Sequence, residues 1–276
     1  MFESDRSLSF GHFPLLRELQ GTPDMFRIIA LLLLTVGCSA PRIWTTQRIG
    51  PVAIDGSVAI SNGPISGTNT TQGLGLGDND LAWSPRLDLD FIGVHINANR
   101  FATDHAGSGI TESTIDFNGT TITFNTPVTT TLDLEMNTVA LTFDFVPTSL
   151  VDIGLGVGAG TIEYDLDIQS LGERVKSNED SPMGFIAIRG ASTLGDLMLS
   201  VDIAWIDLEF QDTEVSFLDT DAAIAWTFFR GVGIGSGELV LGYRLIEAEF
   251  DLKDGSSTID ADLSFDGAYV GLSLGL

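Results

Sequence analysis

The chain has 276 residues, with 13 Lys and Arg against 38 Asp and Glu and a formal net charge of −25. Only 18% of residues are charged, 43% are apolar, and 17 Phe stand among 31 Gly. This excludes a disordered acidic tail, which would lack such apolar content, and a nucleic-acid binder, whose surface must be basic. With one Cys, it also excludes a disulfide scaffold and a Cys-based zinc site.

In chain order, residues 26–40 read FRIIALLLLTVGCSA: one Arg, a nine-residue run from Ile28 to Val36, then small residues. A membrane-spanning helix needs roughly 20 apolar residues. The shorter run, with its basic start and small end, predicts a secretory signal over 25–40. Translation is expected to start at Met25, with 1–24 a mis-called upstream segment. Two cleavage patterns are open. Cys38-Ser39-Ala40 offers small residues to a standard signal peptidase, but Pro41 would follow the cut. Thr35-Val36-Gly37-Cys38 resembles a bacterial lipobox, which implies lipidation of Cys38. Residues 41–85 are rich in Gly, Ser, Thr and Asn and read as a periplasmic linker. GLGLG within it is no dinucleotide fingerprint, because no helical pattern follows.

From Arg86 onward, period-two alternation predicts eight strands: 86–102, 128–145, 151–168, 182–191, 196–210, 215–229, 237–252 and 258–274. Within a strand the apolar side changes face. In 151–168, Val151, Ile153, Leu155 and Val157 are followed on the same face by Glu163, Asp165 and Asp167. The opposite face runs Asp152, Gly154, Gly156, Gly158, Gly160 and then Ile162, Tyr164, Leu166. Strand 258–274 shows the reverse order, with Asp260, Asp262 and Asp266 before Ala268, Val270, Leu272 and Leu274.

A β-bulge in every strand would exchange the faces, but a barrel crossing an interface needs none. Below the interface the exterior meets lipid and is apolar; above it the exterior meets water, and the interior becomes the apolar core. The expected fold is therefore all-β, an eight-stranded antiparallel up-and-down transmembrane barrel over 86–276 that extends above the membrane. Four or five outward apolar positions span roughly 20 Å, near the approximately 25 Å apolar band of such barrels. Outward Phe91, Phe145, Trp205 and Phe228 are expected near the rims. By this pattern the chain resembles the small outer-membrane barrels of OmpA/OmpX/OmpW-type architecture. The resemblance implies a Gram-negative outer-membrane location with the N-terminal segment periplasmic.

The lower interior is expected to hold a polar network of Arg86, Asp88, Asp90, Asp144, Asp152, Arg189, Asp202, Asp221, Glu238 and Arg244. It would plug the barrel or form a narrow cation path. Above it, Met136, Tyr164, Phe210, Phe217, Phe250 and Phe265 form either a packed core or a cavity for an apolar ligand. His95 is read as outward and His105 as lying in a loop, neither beside a Ser, so no catalytic residue is assigned and no enzyme expected. No metal site or cofactor is expected either. Loops 103–127, with a hairpin around Asn118-Gly119, and 169–181 are the candidate contact surfaces. The expected partners are outer-membrane lipid and lipopolysaccharide, bridged by divalent cations to the acidic belt, with no nucleic acid and a monomeric chain. The function so read is structural or surface-interacting; passage of small apolar or cationic solutes comes second and lipid modification a distant third.

Overall fold

The computed structural model describes residues 42–62, 67–77, 79–91, 93–117, 119–145, 150–210, 213–231, 235–254 and 257–276. Cys38 and the expected signal segment lie outside the described residues. So do Asn118 and the side chains of Phe210 and Phe250.

The described chain is all strand and turn. In order, β1 (Arg42–Asn62), β2 (Asn69–Thr70), β3 (Asp80–Trp83), β4 (Arg86–Phe91) and β5 (Val94–Ile110) come first. A small hairpin, β6 (Ile115–Phe117) and β7 (Thr120–Ile122), precedes β8 (Pro127–Asp144), β9 (Val151–Ser170) and β10 (Glu173–Leu194). The chain finishes with β11 (Leu197–Phe210), β12 (Thr213–Gly231), β13 (Gly235–Asp254) and β14 (Ser257–Gly275).

Antiparallel neighbours run from β14 back through β8 to β5, then to β3 and β4, and on to β1, which pairs β14 and closes the ring. β3 and β4 are one ring position. Both keep the same register against β1 and β5, and only Ser84-Pro85 interrupts them. Pro85 has no N–H for the ladder, and its carbonyl still accepts from Arg100 N at 3.0 Å. The ring therefore has ten positions, not the eight expected. Both extra strands come from the presumed linker 41–85 and from a split in 86–102. The first error arose because Gly50, Pro51 and Gly56 disguise a 21-residue strand. The second arose because the chain reverses at Gly93 (φ 72°), pairing Phe91 with Val94.

The predicted contact loops also shrink. β5 runs through Ile110, and β9 passes to β10 by Leu171 (φ 42°) and Gly172 (φ 99°), the two positive φ values a type I′ turn demands. Strands of 20 and 22 residues extend about 66–73 Å at 3.3 Å per residue. Even with tilt, they rise well beyond a membrane band of approximately 25 Å.

The face exchange occurs without bulges. β9 pairs β8 from Gln169 to Gly154 and β10 from Ser170 to Val151 without a shift. Among the described residues the register slips only between Thr227 and Phe229. Ile153, Leu155 and Val157 are exposed below, whereas Ile162, Leu166 and Ile168 of the opposite face are buried above. Trp205, Phe145 and Phe228 lie on the exposed face as expected. The apolar core fills the upper lumen. It gathers Val52, Ile54, Phe101, Met136, Phe217, Ile246 and Phe265 with many smaller neighbours.

Candidate functional site

In the lower lumen, alternation points every second side chain inward, and the closed ring confines those side chains to partners within the lumen. At mid-height Arg48 of β1 is 2% exposed. Its Nε donates to Ser84 O at 2.8 Å and its Nη2 to Ser84 Oγ at 2.8 Å; it also donates to Asp221 and Asn99. Arg244 donates to Asp219 at 2.9 and 2.6 Å and to Ser84 Oγ at 2.8 Å. Tyr269 donates its hydroxyl to Asp221 Oδ1 at 2.5 Å, beneath the Arg48 guanidinium 5.2 Å from its ring centroid. The phenol has room because Gly242 faces it. A Cβ there would lie 2.3 Å from Tyr269 Cζ. Arg86 completes this level, bonding Asp88 at 2.8 Å and Asp202 at 2.6 Å.

Below, His95 places Nδ1 2.5 Å from Asp90 Oδ1 and Nε2 3.1 Å from Asp88 Oδ1. Arg189 donates to Asp152 at 3.0 Å, and Asp144 adjoins Asp152. Four arginines (48, 86, 189, 244) thus face seven aspartates (88, 90, 144, 152, 202, 219, 221) around one histidine. A cavity of about 40 Å³ lies among His95, Asn97, Asn99, Arg189, Asp202 and Asp221. At roughly 10–15 Å³ per water centre, it has space for about three waters. Buried charge on this scale is tolerated only when paired and hydrogen-bonded, and the arginine forks supply most of that pairing.

Nine of the ten sequence-predicted network residues are brought together in this way. Glu238 stands apart, accepting from Thr227 Oγ1 at 3.1 Å. Sequence reasoning missed Arg48, Ser84, Asn97, Asn99 and Asp219. For Arg48 a signal existed: Thr46, Arg48, Gly50, Val52 and Ile54 alternate, ending in apolar residues that belong to the upper core. His95 and His105 correct the reading of 86–127. The reversal at Gly93 turns His95 inward and Val94 and Ile96 outward. His105 lies in β5, 1% exposed, with Nε2 3.2 Å from Thr103 Oγ1 and its ring beside Phe265. Neither imidazole reaches the lipid face.

The upper lumen is packed. Met136, Phe217 and Phe265 are all but inaccessible, with Tyr164 against their cluster. The turn at 71–77 adds Leu74 and Leu76 to that core, with Ile110 N donating to Gly73 O at 2.7 Å. The β6–β7 hairpin contributes buried Ile115 and Ile122 and touches both β1 and β10, which lie opposite one another in the ring. It therefore crosses the mouth of the barrel.

Outside, the upper strands carry an acidic belt. Asp104, Asp133 and Asp165 are register neighbours on β5, β8 and β9. Burial and then those two neighbouring carboxylates push the Asp133 carboxyl above its usual range. The hydrogen bond from Arg174 holds Asp167 below it.

No protein family and no curated protein matches the chain. Among solved structures, the outer membrane protease OmpT from Escherichia coli aligns with a TM-score of 0.53 at 9% identity, covering 88% of this chain and 100% of its own. Neisserial surface protein A aligns at 9% identity with a TM-score of 0.34, covering 86% of this chain and 99% of its own. The transport unit of the autotransporter AIDA-I from Escherichia coli aligns at 10% identity and 0.36, covering 91% and 96%. The likeness to OmpT is one of fold: this chain has the architecture of an outer-membrane β-barrel.

Proposed function

We propose that this protein is a non-enzymatic barrel of a Gram-negative outer membrane, with a structural or surface-interacting role. It is exported by the segment 25–40, and its strand start at Arg42 faces the periplasm. The observation that carries this reading is the filling of the lumen at successive levels: a crosslinked charged network, an apolar plug, and a hairpin across the mouth. A conducting pore needs a continuous wet path, and the apolar layer interrupts it. The rigid, protruding upper barrel then presents its acidic belt and strand tips as the recognition surface. Purified protein in planar bilayers tests this. No stepwise conductance is expected, and steady single-channel steps would refute the closed-lumen reading.

The excess of aspartates and the small polar cavity favour, as a second reading, a narrow path for cations. Cation-selective steps abolished by Asp221→Asn would establish it in place of the first.

A further inference from the structure

On the outer wall, a groove of about 460 Å³ crosses β1, β4, β5, β8 and β9. That volume lies within the roughly 300–1,000 Å³ range of ligand pockets. Register places it between an apolar and an acidic zone. One row below are Ile96, Leu141 and Val157, aligned across β5, β8 and β9. The groove's floor is the next row, Leu87, Ala98, Val139 and Ala159, whose two alanines leave the hollow. Above it stand Arg100, Asn137 and Thr161, and above those Glu135, Glu163 and Asp180.

Arg100 is the cation at this boundary. Its guanidinium lies 5.3 Å from the Trp83 ring centroid and donates to Glu135 Oε2 at 2.6 Å. Asn137 donates to the other Glu135 oxygen at 2.9 Å. Trp83 Nε1 is held 3.3 Å from Gln47 Oε1. The result is a shallow apolar trough that begins at hydrocarbon depth and ends at a fixed guanidinium, with carboxylates beyond.

We infer that this groove seats one lipopolysaccharide molecule of the outer leaflet. An acyl chain lies over Ala98 and Ala159, and a glucosamine phosphate meets Arg100. A divalent cation joins the phosphate to the carboxylates Glu163 and Asp180. The match is one of charge and depth together: phosphate prefers a planar guanidinium, and anionic phosphate tolerates the acidic row only through a cation. This inference rests on the outer-membrane reading and deepens it by naming a lipid and a site.

The test is native mass spectrometry of the full chain in detergent, titrated with rough lipopolysaccharide in Mg²⁺ and in EDTA. Saturable binding of one molecule is expected, weakened by EDTA. Loss of a charge-assisted contact in Arg100→Ala should weaken it about tenfold or more. Filling the trough with Ala159→Phe should do the same. Ile224→Ala, on a distant stretch of the exposed apolar wall, should leave it unchanged. If Ala159→Phe fails to fold, Ala98→Leu fills the same hollow. Unsaturable uptake, equal binding by the filled variant, or preference for phosphatidylglycerol would overturn the proposal. Heat-modifiable gel mobility of the membrane fraction is scored separately, and its absence would instead overturn the outer-membrane reading.

Discussion

Replacing Arg48 by Met tests whether the lower lumen is the close-packed, crosslinked network described above. Arg48 is 2% exposed and serves Asp221, Asn99 and both oxygens of Ser84. Its loss leaves Asp221 with the Tyr269 hydroxyl, the neighbouring charge of Arg244, and Arg86 at 3.9 Å, too far for a direct hydrogen bond. Removing one partner of a buried pair costs about 3–5 kcal/mol, because the remaining charge stays desolvated. Exchanging both partners for apolar residues is often neutral. Arg48→Met alone should therefore lower stability by about 3–5 kcal/mol, and Arg48→Met with Asp221→Leu should recover a large part of it. Urea unfolding in lipid vesicles, followed by tryptophan fluorescence, measures both. If the lumen were water-filled, the pair would behave like a surface bridge, worth about 0.2–1 kcal/mol. A cost under 1 kcal/mol with no coupling between the two sites would refute the reasoning.

Gly242→Val should displace the Tyr269 ring, whose Cζ would lie 2.3 Å from the new Cβ, and cost about 1–3 kcal/mol by overpacking; an unchanged urea midpoint would count against the close-packed lumen. Ile122→Ala, in the hairpin across the mouth, should cost about 2–5 kcal/mol, whereas a hairpin detached from the core would lose nothing measurable. For Asp133 the folded carboxyl titrates above its unfolded value, so its contribution is fully present below the unfolded pKa and is lost as pH rises through the folded one. Asp133→Asn should accordingly stabilise the upper barrel at neutral pH, by about 0.2–1 kcal/mol as expected for opposed like charges. The gain should fade as pH falls into the carboxylate range; a gain that persists in acid would contradict the charge argument.

Much of this architecture was legible from alternation alone. The runs in 128–145, 151–168 and 258–274 return as β8, β9 and β14 within two residues at either end. The change of face at Val157–Ile162 needs no bulge, as a barrel emerging from lipid requires. The strand count was not legible, because a reversal at Gly93 leaves the alternation looking unbroken while it inverts the sense of the residues that follow within 94–102. That inversion moved His95 from the outer wall to the network. β1 was obscured for another reason: Pro51 and Gly56 are breakers by composition, yet both are absorbed within a strand paired on both sides. Gly56 adopts φ 132°, with the Asp262 carbonyl where a Cβ would stand.

By itself, the sequence determined which zones of the strands from residue 128 onward face lipid, water and core, since side-chain period and solvent polarity are local properties. It also placed most of the lumen's charge, because an inward position on a lipid-facing stretch is identifiable from parity. Tertiary structure alone decided who pairs with whom. Arg48 reaches Asp221 across 173 positions of chain, the hairpin 115–122 spans opposite walls, and Arg100 comes to rest over Trp83 at the edge of a groove. Those pairings depend on ring size and register, and closing the ring with ten positions instead of eight is a property of the whole chain.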